Sequence, residues 1–315
     1  MIAALDLAGL LFVLLLLRQN LLVLLGVAAG YSYLVWGDGR LGNIVVDAWD
    51  AANREVLLSI PLYILAGNLM AEGAMARRLI RLMRAVTAPV PGGLAIAAVM
   101  SCALFAAVSG SGTVTLLAVG AVMYPALLEA GYSRQFAVGA LCAAGTLGII
   151  VPPSIPLILY GVMTRTSVAD LFLAGIGPAA LLTTLMAGYA LATGRKIGRG
   201  HWDASELRGA LKDGVWALFM PVLIIGGIYS GLFTATESAA VAVVYALVIE
   251  LFVYREMNFH KLQAVVGQTT RLLGSLFPVL MMALSLNVLL AYEQVPEQLV
   301  AAFSQQFDSP LGVLV

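Results

Sequence analysis

Residues 145–156 read GTLGIIVPPSIP and lie inside an otherwise apolar stretch, residues 135–164. A proline lacks a backbone donor and clashes with the preceding helical turn, so two adjacent prolines cannot continue a regular helix. The sequence therefore predicts a membrane helix that breaks at residues 148–154 and frees the backbone carbonyls of residues 148–151. Freed carbonyls of this kind bind sodium in transporters. A kinked but continuous helix is the alternative, although a kink needs one proline and this segment has three.

The composition excludes several classes of protein. Of the 315 residues, 61% are hydrophobic and only 11% are charged, whereas a soluble domain carries about 25% charged residues. The chain is thus neither an ordinary soluble globule nor a disordered protein, which needs high charge and low hydrophobicity. Basic and acidic residues both number 17, so no net positive charge favours nucleic acid. The two cysteines, Cys102 and Cys142, are too few for a disulfide framework.

The apolar segments predict an all-α polytopic membrane protein that stays in the lipid bilayer. A helix needs about 20 mostly apolar residues to cross the hydrocarbon core. The first segment lacks the basic residues that begin a signal peptide, so we expect it to remain a membrane helix. Eight crossings are predicted, near residues 2–17, 20–36, 55–72, 135–164, 168–194, 215–232, 235–254 and 271–291.

Residues 92–128 form a further apolar segment with a different character. The sequence SGSG at residues 109–112 interrupts it and leaves two halves of about 17 residues, each marginal for a span. We therefore predict a re-entrant helical hairpin, whose tip must be surrounded by protein or by a water-filled cavity. Glycines allow close backbone approach at such a tip, so hydroxyls and carbonyls there become ligands for a hard cation. Close packing of small residues between membrane helices is the alternative.

The distribution of basic residues supports the re-entrant hairpin. With the N-terminus outside and eight crossings, only Arg40, Arg54 and Arg165 of the 17 basic residues fall outside. This agrees with the excess of positive charge expected on the cytoplasmic side. A straight crossing in place of the hairpin puts Arg134 and the later basic clusters on the wrong side.

Two segments are predicted to lie at the cytoplasmic surface. Residues 73–90 place Arg77 and Arg81 on one helical face, opposite an apolar face, which predicts a basic amphipathic arm helix. Residues 195–214 are the longest polar stretch and are predicted to be a cytoplasmic linker. His201 lies in this linker and is expected to be an ordinary exposed side chain.

A weak internal repeat relates the two halves of the chain. Asn68 and Asn287 each follow an apolar run, and a proline and a glycine follow each at the same spacing, so 219 residues separate the copies. With the predicted topology the copies are inverted, as in secondary transporters whose sites lie at the repeat interface. We expect a first repeat at residues 1–194, with three helices, the arm, the hairpin, the broken helix and one more helix. The second repeat, residues 215–315, is expected to be incomplete and the chain truncated, because the second hairpin would fall beyond its end.

One ionisable residue lies at the edge of a predicted crossing. Gly231, Thr234, Thr236 and Glu237 belong to the segment GGIYSGLFTATESAA, residues 226–240. An ionisable residue inside a membrane is a candidate for substrate or ion binding. Glu237 also lies three residues after Thr234, which is the spacing of a capping box at a helix start. The sequence leaves both interpretations open.

Motifs of several enzyme classes are absent from the sequence. It contains no Walker loop for ATP and no His-Glu-x-x-His zinc motif. No set of nucleophile, base and orienting group is visible, so the protein is not expected to be an enzyme.

Residues 67–161 carry a resemblance to a known family. The SGSG tip followed by PPSIPLILYG at residues 152–161 resembles the large membrane (M) subunit of tripartite ATP-independent periplasmic (TRAP) transporters. Residues 226–248 resemble the start of that subunit's second half, so the resemblance covers essentially the whole chain. It implies an inverted-repeat, elevator-type transporter of the bacterial inner membrane; the distribution of basic residues predicts a periplasmic N-terminus.

The resemblance implies import of an organic acid, such as a carboxylate or a sialic acid, driven by sodium ions. A periplasmic binding protein would deliver the substrate, and a small four-helix membrane (Q) subunit would pair with this one. We expect that small subunit to be a separate chain, because the first repeat starts at once. In the implied elevator mechanism the hairpins and broken helices slide against a static scaffold.

Three groups of residues match the motifs of the family and are expected to form its sites. The implied first sodium site would use Ser109, Ser111, Gly148, Val151 and Pro153. The implied substrate region at the same hairpin includes Gly110, Gly112, Thr113, Pro152 and Ser154. The implied second-half site includes Gly231, Thr234, Thr236 and Glu237.

Two other functions remain open on the sequence alone. A stand-alone ion- or proton-coupled carboxylate transporter would need no binding protein. A channel or a structural membrane scaffold is the further alternative, and a channel would conduct without saturating.

Overall fold

The computed structural model describes residues 2–195 and 203–304, and all regular elements in these residues are helical. This confirms the predicted all-α polytopic class. The α-helices in this part of the chain are α1 (Ile2–Leu16), α2 (Leu21–Val35), α3 (Gly42–Ala52), α4 (Ser59–Glu72), α5 (Met75–Thr87), α6 (Gly93–Ser109), α7 (Gly112–Glu129), α8 (Arg134–Gly145), α9 (Leu147–Ile150), α10 (Ile155–Thr164), α11 (Val168–Gly194), α12 (Ala204–Tyr229), α13 (Ala235–Val248), α14 (Phe259–Tyr292) and α15 (Val295–Ser304). A 3-10 turn (Glu55–Leu58) precedes α4, and a π-helical turn (Ile249–Val253) follows α13.

Within the described residues, seven helical segments are long and apolar enough to cross a membrane. Six of them coincide with predicted crossings, and the first two predicted crossings are the shorter apolar helices α1 and α2. The seventh long segment is α7, which is the second half of the predicted hairpin. The multi-pass membrane architecture therefore follows from length and composition, as the sequence predicts.

Two local features differ from the sequence-based predictions. The extra helix α3 lies between two predicted crossings, and it buries Ala48 and exposes Trp49. It is too short to give the signal of a membrane-length segment. The polar stretch predicted to be a linker is helical from Ala204 onward. The side chain of Asp203 caps α12 by accepting a hydrogen bond from the backbone N–H of Ser205 at 2.8 Å, which stabilises a helix start. Residues 196–202, with His201, lie outside the described residues.

Residues 55–270 form one compact unit. Helix α6 lies inside it, in contact with α4, α5, α7, α8, α9, α11 and α12. It buries small side chains, including Ala97, Ala98 and Cys102, because small residues let membrane helices approach closely. The unit combines helices from both predicted repeats, since α12 packs against α5 and α13 packs against α4.

Residues 2–54 and 271–304 form a second compact unit. Tyr33 of α2 is 2% exposed, and its hydroxyl donates to a carboxylate oxygen of Asp47 in α3 at 2.5 Å. The same hydroxyl accepts a hydrogen bond from the Ser285 hydroxyl of α14 at 3.2 Å. These contacts link three helices of the unit, and they satisfy the polar end of a buried aromatic side chain.

Candidate functional site

The predicted hairpin is present as α6 and α7, which pack against each other. Helix α6 ends at Ser109 and α7 begins at Gly112, so two residues form the tip. Gly110 has a φ of 59°, a left-handed conformation that glycine adopts without strain. Ser111 is extended, and its side chain accepts a hydrogen bond from the backbone N–H of Val114. A connection this short joins two antiparallel helices.

Two hydroxyls meet just inside the hairpin tip. The side-chain oxygens of Ser109 and Thr115 lie 2.9 Å apart, and both residues are fully buried. Thr113, a predicted substrate residue, is exposed. Successive residues of a helix point about 100° apart, so only one of the two threonines can face Ser109. The structure therefore places Thr115, rather than Thr113, beside the predicted sodium ligand.

The helix that follows the hairpin is broken at residues 151–154. The predicted break at residues 148–154 is therefore right at its prolines and wrong at residues 148–150, which form the helical turn α9. Helix α9 ends at Ile150 and α10 begins at Ile155, and the peptide bond between Pro152 and Pro153 is cis. The buried hydroxyl of Ser154 donates to the carbonyl of Ile149 and caps the start of α10. The alternative of a continuous kinked helix is therefore wrong.

The hairpin tip and the helix break are in direct contact. The backbone N–H of Ile155 donates to the carbonyl of Gly110 at 3.2 Å. A Cβ atom added at Gly110 would lie 2.8 Å from the carbonyl oxygen of Pro153. A Cβ atom added at Gly148 would lie 2.7 Å from the carbonyl oxygen of Ser111. Both glycines thus let two backbones approach each other, which brings together the elements that carry the predicted sodium ligands.

Helix α4 closes the other side of the hairpin tip. A Cβ atom added at Gly67 would lie 2.8 Å from the Cβ of Ser109, so only glycine fits between α4 and the tip. Gly67 is not among the predicted site residues, although a glycine inside an apolar helix beside Asn68 was an available signal. Asn68 is buried and donates from its side-chain nitrogen to the hydroxyl of Thr269 at 2.8 Å.

The chemistry available at the tip is that of neutral oxygens. Within the described residues, no group of three or more His, Cys, Asp or Glu side chains comes together as a metal site. The tip and the break offer the hydroxyls of Ser109 and Thr115 and the backbone carbonyls of the non-helical residues 151–154. Helices α7 and α10 both begin here, and the N-terminal ends of helices favour anionic groups. Carbonyls and helix ends are what transporters use for sodium and for carboxylates.

The predicted second-half group lies at the start of α13. The Thr234 hydroxyl accepts from the backbone N–H of Glu237 at 3.2 Å, and the Glu237 carboxylate accepts from the backbone N–H of Thr234 at 2.8 Å. This is a complete capping box, and Glu237 is exposed. Thr236 donates to the carbonyl of Glu55 at 3.2 Å, and Gly231 has a φ of 74°. The capping interpretation therefore accounts for Glu237.

The same helix α4 contacts both predicted groups. The Tyr63 and Ser238 hydroxyls lie 2.6 Å apart, so the start of α13 packs on α4. Gly67, which contacts Ser109, lies one helical turn further along α4. The two groups are therefore linked through one helix.

One buried carboxylate was missed by the sequence analysis. Glu250 is fully buried, and its side chain accepts hydrogen bonds from the backbone N–H groups of Ala74 and Met75. A glutamate inside an apolar run was the available signal, and Glu237 in the same predicted crossing carries a similar one. Its contacts join residues 175 and 176 positions apart, which no local pattern reveals.

Comparison with known proteins gives a consistent result. Residues 8–315 match the family described as tripartite ATP-independent periplasmic transporter, DctM component. The chain is 36% identical to the C4-dicarboxylate TRAP transporter large permease protein DctM of Pseudomonas aeruginosa, over 91% of this chain and 68% of that protein. It is 34% identical to the ectoine/5-hydroxyectoine TRAP transporter large permease protein UehC of Ruegeria pomeroyi, over 96% and 72%.

A third relative has a different chain organisation. The chain is 32% identical to the isethionate TRAP transporter permease protein DctMQ of Oleidesulfovibrio alaskensis, over 92% of this chain and 46% of that protein. Each of the three relatives is thus similar to this chain, and their names contain three different small solutes.

Proposed function

Because this chain belongs to the DctM component family of tripartite ATP-independent periplasmic transporters, we propose that it is the large membrane subunit of a sodium-coupled importer of a small organic acid. The observation that carries the proposal is the contact between the hairpin tip and the helix break. It assembles hydroxyl and carbonyl oxygens from Ser109, Gly110 and Pro153 at one place. Oxygen donors of this kind suit a hard cation inside a membrane protein.

The proposed sodium ion would bind at the hairpin tip. We assign to this ion, as its ligands, oxygens of Ser109 and Ser111 on the hairpin. The carbonyls of Gly148, Val151 and Pro153 on the broken helix complete the assigned set. Thr115 joins this set, because its hydroxyl lies beside that of Ser109. As the coupling ion, sodium would be bound and released in each transport cycle. The site therefore needs ligands from which the ion dissociates easily, and neutral oxygens meet this need.

The proposed substrate is a small organic acid. The relatives carry the names of C4-dicarboxylate, ectoine and isethionate transporters, and all three solutes bear an acidic group. The start of α7 at the tip and the start of α10 at the break would attract such a group. Gly112, Pro152 and Ser154 belong to this region, and Gly112 packs against the carbonyl of Gly145.

The proposed partners are a small membrane subunit and a periplasmic binding protein, in the bacterial inner membrane. The tripartite family description supports this organisation. One relative's name joins the M and Q components; for this chain we propose a separate small subunit. We also propose a periplasmic N-terminus, which the distribution of basic residues favours.

An elevator movement of the hairpin is the proposed mechanism, and the repeat supports it. Helix α4 ends at Glu72 and α14 ends at Tyr292, while α5 begins at Met75 and α15 begins at Val295. The ends of α4 and α14 are separated in the sequence by nearly the same number of residues as Asn68 and Asn287, and so are the starts of α5 and α15. Inverted repeats of this kind underlie alternating access in secondary transporters.

The experiment that tests the function is uptake into proteoliposomes. The full-length subunit, purified with its small membrane partner, is reconstituted and given labelled succinate, ectoine or isethionate together with a binding protein for that probe. Uptake that requires an inward sodium gradient and the binding protein supports the proposal. Uptake without the binding protein supports a stand-alone carrier, and uptake that follows a proton gradient but not a sodium gradient contradicts sodium coupling.

A further inference from the structure

The buried carboxylate of Glu250 lies at an irregular point of the helix that carries it. Helix α13 continues after Val248 as a π-helical turn, Ile249–Val253, and Glu250 is the second residue of this turn. Its side chain is fully buried. Turns of this type are rare and occur frequently at functional sites, so both the residue and its backbone need an explanation.

The carboxylate binds the start of the arm helix α5. One oxygen of Glu250 accepts from the N–H of Ala74 at 2.9 Å, and the other accepts from the N–H of Met75 at 2.8 Å. The first N–H groups of a helix have no partner within the helix, and the positive end of the helix dipole attracts an anion. Ala74 occupies the N-cap position and has no side chain that could cap α5. The cap is therefore supplied by α13, from the other predicted repeat.

Gly73 provides the space for this carboxylate. A Cβ atom added at Gly73 would lie 2.1 Å from the carboxylate carbon of Glu250 and 2.2 Å from one of its oxygens. Gly73 has a φ of −83°, which any residue can adopt, so steric contact rather than backbone conformation requires glycine here. Glu250 and Gly73 form a matched pair.

Other contacts hold the same part of α5 to the segment that follows Glu250. The Arg78 guanidinium carbon lies 3.7 Å from the centre of the Tyr254 ring. Glu256 pairs with Arg77 and Arg78. These groups are partly exposed, and exposed ion pairs contribute little to stability. The contact at Glu250 differs because it is buried, so water cannot take the place of the carboxylate as the hydrogen-bond acceptor for α5.

The other end of α5 leads into the hairpin. A short connection, residues 88–92, joins α5 to α6, which carries Ser109 at its far end. Gly92 in this connection has a φ of 72°, and a Cβ atom there would lie 2.8 Å from the Cα of Gly194. Helix α5 also packs along α6 and α12. These contacts connect α5 directly to the first helix of the hairpin.

We propose that Glu250 is a positioning residue for transport: its carboxylate fixes the N-terminus of α5 and, through α5, the position of the hairpin that carries Ser109. Its importance for uptake rests on the proposed function, whereas the anchoring of α5 does not. Loss of the carboxylate frees the start of α5, which lowers the maximal uptake rate without removing any oxygen of the ion site.

The test combines a distance measurement with uptake. Spin labels are attached through cysteines at Val86 of α5 and Val244 of α13, both exposed, after the exposed Cys142 is replaced by serine. The full-length subunit with its small partner is compared as wild type, Glu250→Gln and Glu250→Ala. We expect a narrow distance distribution in the wild type, a broader or shifted one in Glu250→Ala, and an intermediate one in Glu250→Gln, whose single side-chain oxygen can accept fewer hydrogen bonds.

The maximal sodium-driven uptake of labelled succinate should fall in the same order, by about tenfold for Glu250→Ala, with the sodium concentration for half-maximal uptake unchanged. The matched control is Glu256→Gln, which removes a partly exposed carboxylate that pairs with Arg77 and Arg78 of α5. This variant should change neither the distance distribution nor the uptake rate. Gly73→Ala should mimic Glu250→Ala. The double variant Gly73→Ala/Glu250→Ala should be no worse than either single variant, because the collision disappears with the carboxylate.

An unchanged distance distribution in Glu250→Ala overturns the proposal, and so does an unchanged uptake rate. If Glu250→Ala does not fold, Glu250→Gln decides in its place. If the wild type takes up none of the probes, the proposed function fails, while the distance measurement still decides whether Glu250 fixes α5.

Discussion

The side-chain oxygens of Ser109 and Thr115 lie 2.9 Å apart, and both residues are fully buried. Ser109 ends the first helix of the hairpin and Thr115 lies in the first turn of the second. A buried pair of hydroxyls can satisfy itself by one hydrogen bond, yet each oxygen keeps a lone pair for a cation. The pair is therefore the first place to test for the proposed coupling ion.

Replacement of Ser109 by alanine should abolish stabilisation by sodium. A ligand that binds only the folded state stabilises it by about 2.7 kcal/mol at a hundredfold excess over its dissociation constant. We expect sodium chloride, compared with potassium chloride, to raise the melting temperature of the full-length subunit with its small partner. This difference should disappear in Ser109→Ala and decrease in Thr115→Val.

The control for this measurement is Thr113→Val, which changes an exposed threonine of the same helical turn and should keep the sodium response. A sodium response that persists in Ser109→Ala places the ion elsewhere. Absence of any sodium response in the wild type contradicts sodium coupling at the hairpin and makes proton coupling the next hypothesis.

A methyl group at Gly148 should separate the hairpin tip from the helix break. The added Cβ would lie within 2.7 Å of Ser111 backbone atoms, and overpacking of this kind costs about 1–3 kcal/mol. Gly148→Ala should therefore lower the melting temperature in potassium and weaken the sodium response. The matched control is Gly139→Ala, where nothing lies within 4 Å of the added Cβ. That change should be neutral or stabilising by up to about 1 kcal/mol, because alanine favours helix. Equal effects at both glycines would contradict the close approach.

The capping box at α13 predicts a mild effect of Glu237→Gln. Glutamine serves in capping boxes as glutamate does, so the variant should keep sodium-driven uptake and nearly wild-type stability. Thr234→Ala removes the hydroxyl that accepts from the Glu237 N–H and should cost about 1 kcal/mol of stability. Loss of uptake in Glu237→Gln with an unchanged melting temperature would show instead that the carboxylate charge acts in transport.

The hairpin tip and the helix break were predictable because their causes are local. Proline and glycine affect the backbone at their own positions, so SGSG at residues 109–112 and the prolines at 152 and 153 mark the non-helical points directly. Pro156 lies in the first turn of α10, where a proline is tolerated. The capping box of Thr234 and Glu237 is local as well, and the sequence predicts Glu237 either as a capping residue or as a residue that binds substrate or ion. The structure shows the capping box, and the Glu237→Gln variant tests the transport interpretation.

The contacts that hold these points in place were not predictable. Gly67 approaches Ser109, and Glu250 caps α5, only after distant helices have packed. A glycine and a glutamate in apolar helices indicate a special role, but the sequence does not show which distant residue each one contacts. Helix α3 was missed for a different reason, since a short amphipathic helix leaves no membrane-length signal.

The buried pair of Asn68 and Thr269 should behave as one unit. The amide nitrogen of Asn68 donates to the Thr269 hydroxyl at 2.8 Å, which joins α4 to α14. Thr269→Val leaves that amide without its partner, and we expect a loss of about 0.5–2 kcal/mol in unfolding experiments on the purified subunit. Asn68→Leu/Thr269→Val removes both polar groups, so the double variant should be less destabilised than the sum of the single variants. The neighbouring Thr270→Val is the control, because that hydroxyl is exposed and bonds within its own helix to the carbonyl of Val266. Additive effects of the two single variants would mean that Asn68 and Thr269 do not depend on each other.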